Sequence, residues 1–210
     1  MRNGAAALLI LTGAAFSAPV TVVALGDSLT QGFGLPTQDG LVPQLQAWLT
    51  AQGRDVTMIN AGVSGDTTAG GLSRVDWSLT PDVDAVIVEL GGNDFLRGID
   101  PAVSRANLDK ILAAATARQL PVLLIGIRAS GNYGPEYRDA FDAMYTDLAT
   151  QYDTLLIDNY FQPLGLGNGQ TSIDPALMQA DGIHPNAAGV AKVVATYGPR
   201  VIELLDKVAP

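Results

Sequence analysis

Four short apolar runs that give way to glycine-containing turns constrain the fold of this chain more than any other feature. They occupy residues 20–25, 56–59, 85–90 and 121–126, and a weaker fifth lies at 155–157. Each is rich in Val, Ile or Leu and shows no clean alternation of apolar and polar residues. That pattern belongs to parallel strands buried on both faces, whereas a half-exposed antiparallel strand alternates. Helical spacing fills the gaps. Leu41, Leu45, Trp48 and Leu49 fall three or four apart, as do Leu108, Ile111, Leu112 and Ala115, and then Tyr137, Phe141, Met144, Tyr145 and Leu148. A last amphipathic stretch covers about 187–208, and Gly198-Pro199 within it is expected to kink or break the helix. Strands alternating with helices predict parallel crossovers and a three-layer α/β/α sandwich. Trp48 and Trp77 are expected to pack in the core or between helices.

Composition narrows the chemistry. The chain has 210 residues, a formal net charge of -9, only three lysines and no basic run, which excludes phosphate-backbone and anionic-surface partners. There is no cysteine, so thiol nucleophiles, disulfides and thiolate zinc sites are out. A single histidine, His184, removes poly-imidazole metal sites, and no loop shows the alternating acids of a calcium site. Neither metal nor cofactor is expected. At the N-terminus, Arg2, a short apolar run and small residues resemble a secretory signal over 1–17, with cleavage after Ser17. The chain is therefore read as a signal segment (1–17) followed by one domain (18–210), exported to a periplasm or secreted. The competing reading of 1–17 is a first buried helix. No segment is long enough for stable membrane insertion. A monomer is the simpler expectation, although nothing in the sequence fixes the number of copies.

In open α/β sheets, ligands lie beyond the carboxyl ends of the strands, so the loops there matter most. They read Gly26-Asp27-Ser28 after the first strand, Asn60-Ala61-Gly62-Val63-Ser64-Gly65-Asp66 after the second, and Gly91-Gly92-Asn93-Asp94 after the third. Far downstream of the fifth comes Asp181-Gly182-Ile183-His184-Pro185-Asn186. Acyl-bond hydrolysis needs a nucleophile, a base, an acid that orients the base, and oxyanion donors. Ser28 at a strand tip supplies the first, and His184 is the only imidazole able to serve it near neutral pH. Asp181 is close enough in sequence to curl back onto the ring. The Ser28 N–H, the Gly62 N–H and the Asn93 side chain are the candidate oxyanion donors. Each fragment alone has a structural reading: Ser28 as a helix cap, Gly62 as a turn glycine, Asn93-Asp94 as a cap, and Asp181 with His184 as a bonded loop. Their joint occurrence at one rim favours nucleophilic catalysis.

The blocks "GDSLTQG", "NAGVSGDT", "ELGGNDFLRG" and "DGIHPN", in that order, resemble the SGNH/GDSL hydrolases. The likeness is to the bacterial branch of thioesterase I, arylesterases and lysophospholipase L1, and "GIRASGNYG" also looks like that branch. The resemblance implies a flavodoxin-like five-stranded parallel sheet, with Ser28 as nucleophile, His184 as base, Asp181 as acid, and Ser28, Gly62 and Asn93 around the oxyanion. Thr30, two residues after the serine, departs from the G-x-S-x-G elbow of α/β-hydrolases. The resemblance also implies a mobile loop at 95–100 beside an acyl pocket. Asp27, Asp94, Phe95, Leu96, Ala129, Asn132, Tyr133 and Ile183 are the expected substrate contacts. Arg97 and Arg128 are expected to make structural ion pairs with nearby Asp or Glu, the alternative being contact with an anionic head group. The function implied is a serine esterase cleaving aryl and short-to-medium acyl esters, with thioesters or lysophospholipids as further small-molecule substrates. Two alternatives stay open at this point: a polysaccharide O-deacetylase of the same fold, and a non-catalytic flavodoxin-like ligand binder.

Overall fold

The computed structural model describes residues 18–167 and 170–208, so the predicted signal segment at 1–17 lies outside the described residues. Five parallel strands form the central sheet: β1 (Val20–Gly26), β2 (Val56–Gly62), β3 (Ala85–Glu89), β4 (Val122–Ile125) and β5 (Leu155–Ile157), in the spatial order β2-β1-β3-β4-β5. β2 runs on through Gly62 instead of stopping at Ile59. Two helices, α2 (Leu41–Ala51) and α7 (Ala187–Leu205), cover one face; α3 (Thr68–Ser78), α5 (Pro101–Ala117) and α6 (Pro135–Tyr152) cover the other. Side chains alternating along the strands divide the core accordingly. Val22, Ala24 and Ile87 face the first layer, while Val23, Leu25 and Val88 face the second. Both faces being dry is why the strands read as unbroken apolar runs. Two short helices, α1 (Ser28–Gln31) and α4 (Gly92–Leu96), begin directly after β1 and β3.

The order of strands places the rim loops. The chain leaves β1 for β2 on one side and then crosses to β3 on the other, so β1 and β3 flank the topological switch point. Gly26 at the end of β1 is in register with Glu89 at the end of β3. The loops carrying Ser28 and Asn93 are thereby neighbours, although 65 positions separate them in sequence.

Two expectations change in three dimensions. α7 is one helix with Pro199 inside it, although proline removes a backbone donor and crowds the preceding turn. Val193 and Val194 before it, and Val201 and Leu204 after it, are all buried in one core, so packing on both sides holds the helix through the defect. Gly198 contributes by letting the Trp48 ring lie against the helix; a Cβ there would stand 2.5 Å from ring carbons. Trp48 thus packs between helices as expected. Trp77 does not: it is 89% exposed on α3. Among the described residues no helix is long and apolar enough to cross a membrane.

Candidate active site

Local chemistry presents Ser28. β1 ends at Gly26, and Asp27 then caps the short helix α1 by accepting the Leu29 N–H on Oδ1 at 3.0 Å. Ser28 is the first residue of that helix. The loop at 181–186 is anchored from outside. Asn186 caps α7 through the Gly189 N–H at 3.0 Å, and its amide donates to the Ala176 carbonyl at 2.8 Å. The Gln179 N–H donates to the His184 carbonyl at 2.8 Å, while its side chain donates to the Phe33 carbonyl at 2.8 Å. The Phe33 ring lies 4.7 Å from the imidazole centroid. Neither Phe33 nor Gln179 was marked by the sequence, since their contacts join segments about 150 positions apart.

These anchors bring the distant groups into line. His184 Nε2 is 2.8 Å from Ser28 Oγ, and His184 Nδ1 is 2.7 Å from Asp181 Oδ2. Asp181 Oδ1 also accepts the backbone N–H of Ile183 at 2.9 Å and of His184 at 3.0 Å. The bond from the His184 ring, followed by these two backbone bonds, holds the Asp181 carboxyl down at about 2, against an ordinary 3.8. Asp181 is therefore an acceptor only, and Nδ1 must carry the ring proton in the neutral imidazole. Nε2 is left as the acceptor facing the serine hydroxyl.

A cavity of about 410 Å³ opens over this line, with Ser28, Asn93 and His184 in its wall. Phe95, Leu96 and Ile183 line it, and Asp27 reaches it from below. Asp94, Ala129, Asn132 and Tyr133 do not line it. Asp94 is buried and turned inward, where it accepts the Thr68 N–H and hydroxyl and the Ser104 hydroxyl at 2.6–2.9 Å. It ties α3 to α5 and is out of reach of a ligand. Tyr133 packs edge-on against Phe95 instead. The apolar wall also takes Phe161, Leu166 and Ile173 from beyond β5, which the sequence reading missed. Applying the carboxyl-end rule to the fifth strand as well as the first three would have found that segment.

Gly62 is also displaced from its expected place. Its N–H donates to Asn60 Oδ1 at 2.9 Å, and Gly62 is not in the cavity wall, whereas Ser64 and Gly65 are. Glycine is required at 62 for another reason: a Cβ would come within 2.3 Å of the Gln31 backbone nitrogen, where α1 crosses the end of β2. Arg74 stitches the same corner together, donating to the carbonyls of Ala61 and Gly26 and pairing with Asp66 at 2.7 Å. Arg128 pairs with Asp142 and Asp158, as expected. Arg97 bonds the Gly65 carbonyl at 2.8 Å and not an acid.

Beneath the serine lie two enclosed carboxyls. Asp27 is 2% exposed, and its Oδ2 accepts the Asn93 amide at 3.0 Å. Burial pushes its carboxyl up to about 6 despite the Leu29 and Asn93 bonds. Glu89 is wholly buried and accepts the Thr30 hydroxyl at 2.8 Å; burial, and then the Asp27 charge, raise it well above the usual range. Among the described residues no group of three or more His, Cys, Asp or Glu side chains is arranged to hold a metal ion.

Comparison with known proteins adds to this geometry. Residues 24–192 match the GDSL-like Lipase/Acylhydrolase family. The chain is 40% identical over 206 residues to "Esterase TesA" of Pseudomonas aeruginosa, covering 98% of each. It is 36% identical to "Thioesterase 1/protease 1/lysophospholipase L1" of Escherichia coli K12, covering 85% of this chain and 81% of that one. Among solved structures, a psychrotrophic esterase EstA from Pseudoalteromonas sp., inhibited by monoethylphosphonate, superposes with a TM-score of 0.80 at 29% identity, over 89% of this chain and 98% of that one.

Proposed function

The chain belongs to the GDSL-like lipase/acylhydrolase family and is a serine esterase; from that premise we propose that Ser28 is its nucleophile, His184 its base and Asp181 the acid that orients the base. The observation carrying this reading is the unbroken hydrogen-bonded line Ser28–His184–Asp181, at 2.8 and 2.7 Å. With Asp181 ionised and Nδ1 protonated, Nε2 accepts the serine proton as Oγ attacks the ester carbonyl. The imidazolium so formed faces a carboxylate that stabilises it without taking its proton. The ring then protonates the leaving alcohol or thiol, and a water deprotonated by the same nitrogen releases the acid.

For the oxyanion, the backbone N–H groups of Ser28 and Gly65 and the Asn93 amide form the proposed donor set, with Gly65 in place of Gly62. Position supports the exchange: Gly65 stands in the cavity wall with Ser28 and Asn93, and the Gly62 N–H is already bonded. Each such donor contributes about 2.7–4 kcal/mol to the transition state.

The wall made of Leu29, Phe33, Phe95, Leu96, Phe161 and Ile173 suits an acyl chain or an aryl group more than a sugar. Short-to-medium acyl and aryl esters are therefore the proposed substrates, with thioesters and lysophospholipids as further activities. The signal-like N-terminus supports a periplasmic or secreted location, and acyl-CoA, anionic and cytosolic, fits neither that address nor a net charge of -9.

An aryl butyrate tests the mechanism. Ser28→Ala should abolish turnover while keeping the folded circular dichroism spectrum, and a monoalkyl phosphonate should label Ser28 in the parent protein alone. Turnover persisting in the variant, or label on another residue, would remove this assignment.

A further inference from the structure

We infer that Asp27 and Glu89 form a one-proton carboxyl pair under the nucleophile, in which Asp27 is a positioning residue tying helix α1 to the Asn93 amide and Glu89 holds the proton. The inference rests on the proposed roles of Ser28 and Asn93.

The geometry distributes the charge. Both side chains are enclosed, at 2% and 0% exposure, on adjacent strand ends whose Cα positions at Gly26 and Glu89 are paired. Two carboxyls in one dry enclosure do not both ionise, because each charge opposes the other and neither is hydrated. Donors decide which one is charged. Asp27 receives two N–H groups, one on each oxygen, from Leu29 and Asn93 at 3.0 Å each. Glu89 receives the Thr30 hydroxyl on Oε2 and, more weakly, the Asp27 backbone N–H, while its buried Oε1 has no partner within hydrogen-bond distance. The negative charge belongs on Asp27, and the proton belongs on the bare Glu89 Oε1.

The remaining ionisable neighbours agree with one negative charge. His184 approaches Asp27 from the loop before α7; Tyr145 of α6 and Tyr160 beyond β5 face the pair with phenols that burial first, and then the neighbouring negative charge, keep neutral. Arg74, a cation of the same corner, bonds the Gly26 carbonyl and is itself paired with Asp66.

Asp27 therefore acts on both halves of the machinery. Through Oδ1 it fixes the first turn of the helix that carries Ser28. Through Oδ2 it selects the orientation of the Asn93 carboxamide, because a flipped amide would set oxygen against carboxylate. One N–H of that amide is then held by Asp27, and the other is left for the cavity that Asn93 lines. Protonating Asp27 would weaken both bonds at once.

Asp27→Asn and Glu89→Gln separate the two roles. Asp27→Asn should lower kcat about 100-fold with KM within about threefold, the signature of a lost transition-state donor. Glu89→Gln keeps a neutral group of the same shape and should lower kcat by less than about tenfold. In the parent, the acid limb of kcat/KM should fall more steeply than one proton allows; in Asp27→Asn it should return to a one-proton slope. Infrared spectroscopy at pH 7.5 supplies a readout independent of turnover. A buried protonated-carboxyl band should be present in the parent and in Ser28→Ala, and absent in Glu89→Gln. That band also decides the matter if Asp27→Asn fails to fold. No such band in the parent, or equal kcat losses in the two variants, would overturn the pair. Because the band is read in Ser28→Ala as well, a failure of the nucleophile assignment shows separately from a failure of the pair.

Discussion

Two aspartates approach the reactive serine from opposite sides, and their proton affinities move in opposite directions. Asp181 sits on an outer loop with its side chain 35% exposed and falls to about 2; Asp27 lies beneath the site and rises to about 6. Both accept N–H bonds, so hydrogen bonding alone does not separate them. Hydration does. Asp181 keeps water and gains three donors, whereas Asp27 loses its water and gains two, and the desolvation cost outweighs them. One carboxylate therefore holds a permanent charge suited to orienting an imidazole, and the other holds a charge that mild acid removes. The lesson is that burial, more than the count of hydrogen bonds, divides labour between identical side chains.

The largest way to break this contrast is to neutralise the exposed member. Asp181→Asn offers the imidazole an amide and permits the wrong tautomer, so kcat should drop about 10⁴-fold with KM little changed. A loss below tenfold in steady-state kinetics would place the orienting acid elsewhere. The second test concerns stability. A folded pKa below the ordinary 3.8 means that Asp181 stabilises the native state above pH 3.8, and that this is lost as pH falls toward 2. Asp27 has the opposite sign. Its raised pKa means that the folded state binds the extra proton, so stability falls as pH rises from about 4 to 6, by up to ~3 kcal/mol for that group. Glu89 adds to the same slope. Urea unfolding across this range should therefore show a flatter profile for Asp27→Asn than for the parent, and parallel profiles would mean that Asp27 is solvated.

What was legible in the sequence follows from the range of the interactions. The five strands were visible because burial on both faces writes an unbroken apolar run. The loop at 181–186 was visible because acid and base are three positions apart. Choices settled by packing were hidden. Gly62 and Gly65 are equally small and lie three apart, and only the crossing of α1 over the end of β2 assigns one to packing and the other to the cavity. Asp94 adjoins Asn93 in sequence, yet one step around α4 turns it inward onto Thr68 and Ser104. Phe161, Leu166 and Ile173 looked like ordinary loop residues because nothing local says that they face Ser28. Pro199 marked a helix end that the core on both sides overrides. Glu89 carried a signal that went unused: an acid within a run otherwise buried and apolar needs a partner, and here the partner is Asp27.

The smallest expected effect isolates hydration itself. Raising salt from about 0.05 M to 1 M shortens the screening length to about 3 Å, which acts on charges that solvent reaches. Asp181 is hydrated, so its carboxyl should titrate upward by a few tenths of a unit, on the order of 0.3, because screening weakens its attraction to His184 once the ring is protonated. Asp27 is almost wholly buried at the floor of the cavity, so salt ions reach it poorly and its midpoint should move by less than about 0.1. Carboxyl-carbon NMR titrations of the two aspartates at both salt concentrations read the difference directly. Equal movement of the two would show that water and ions reach Asp27, and its raised affinity for protons would then need a cause other than burial.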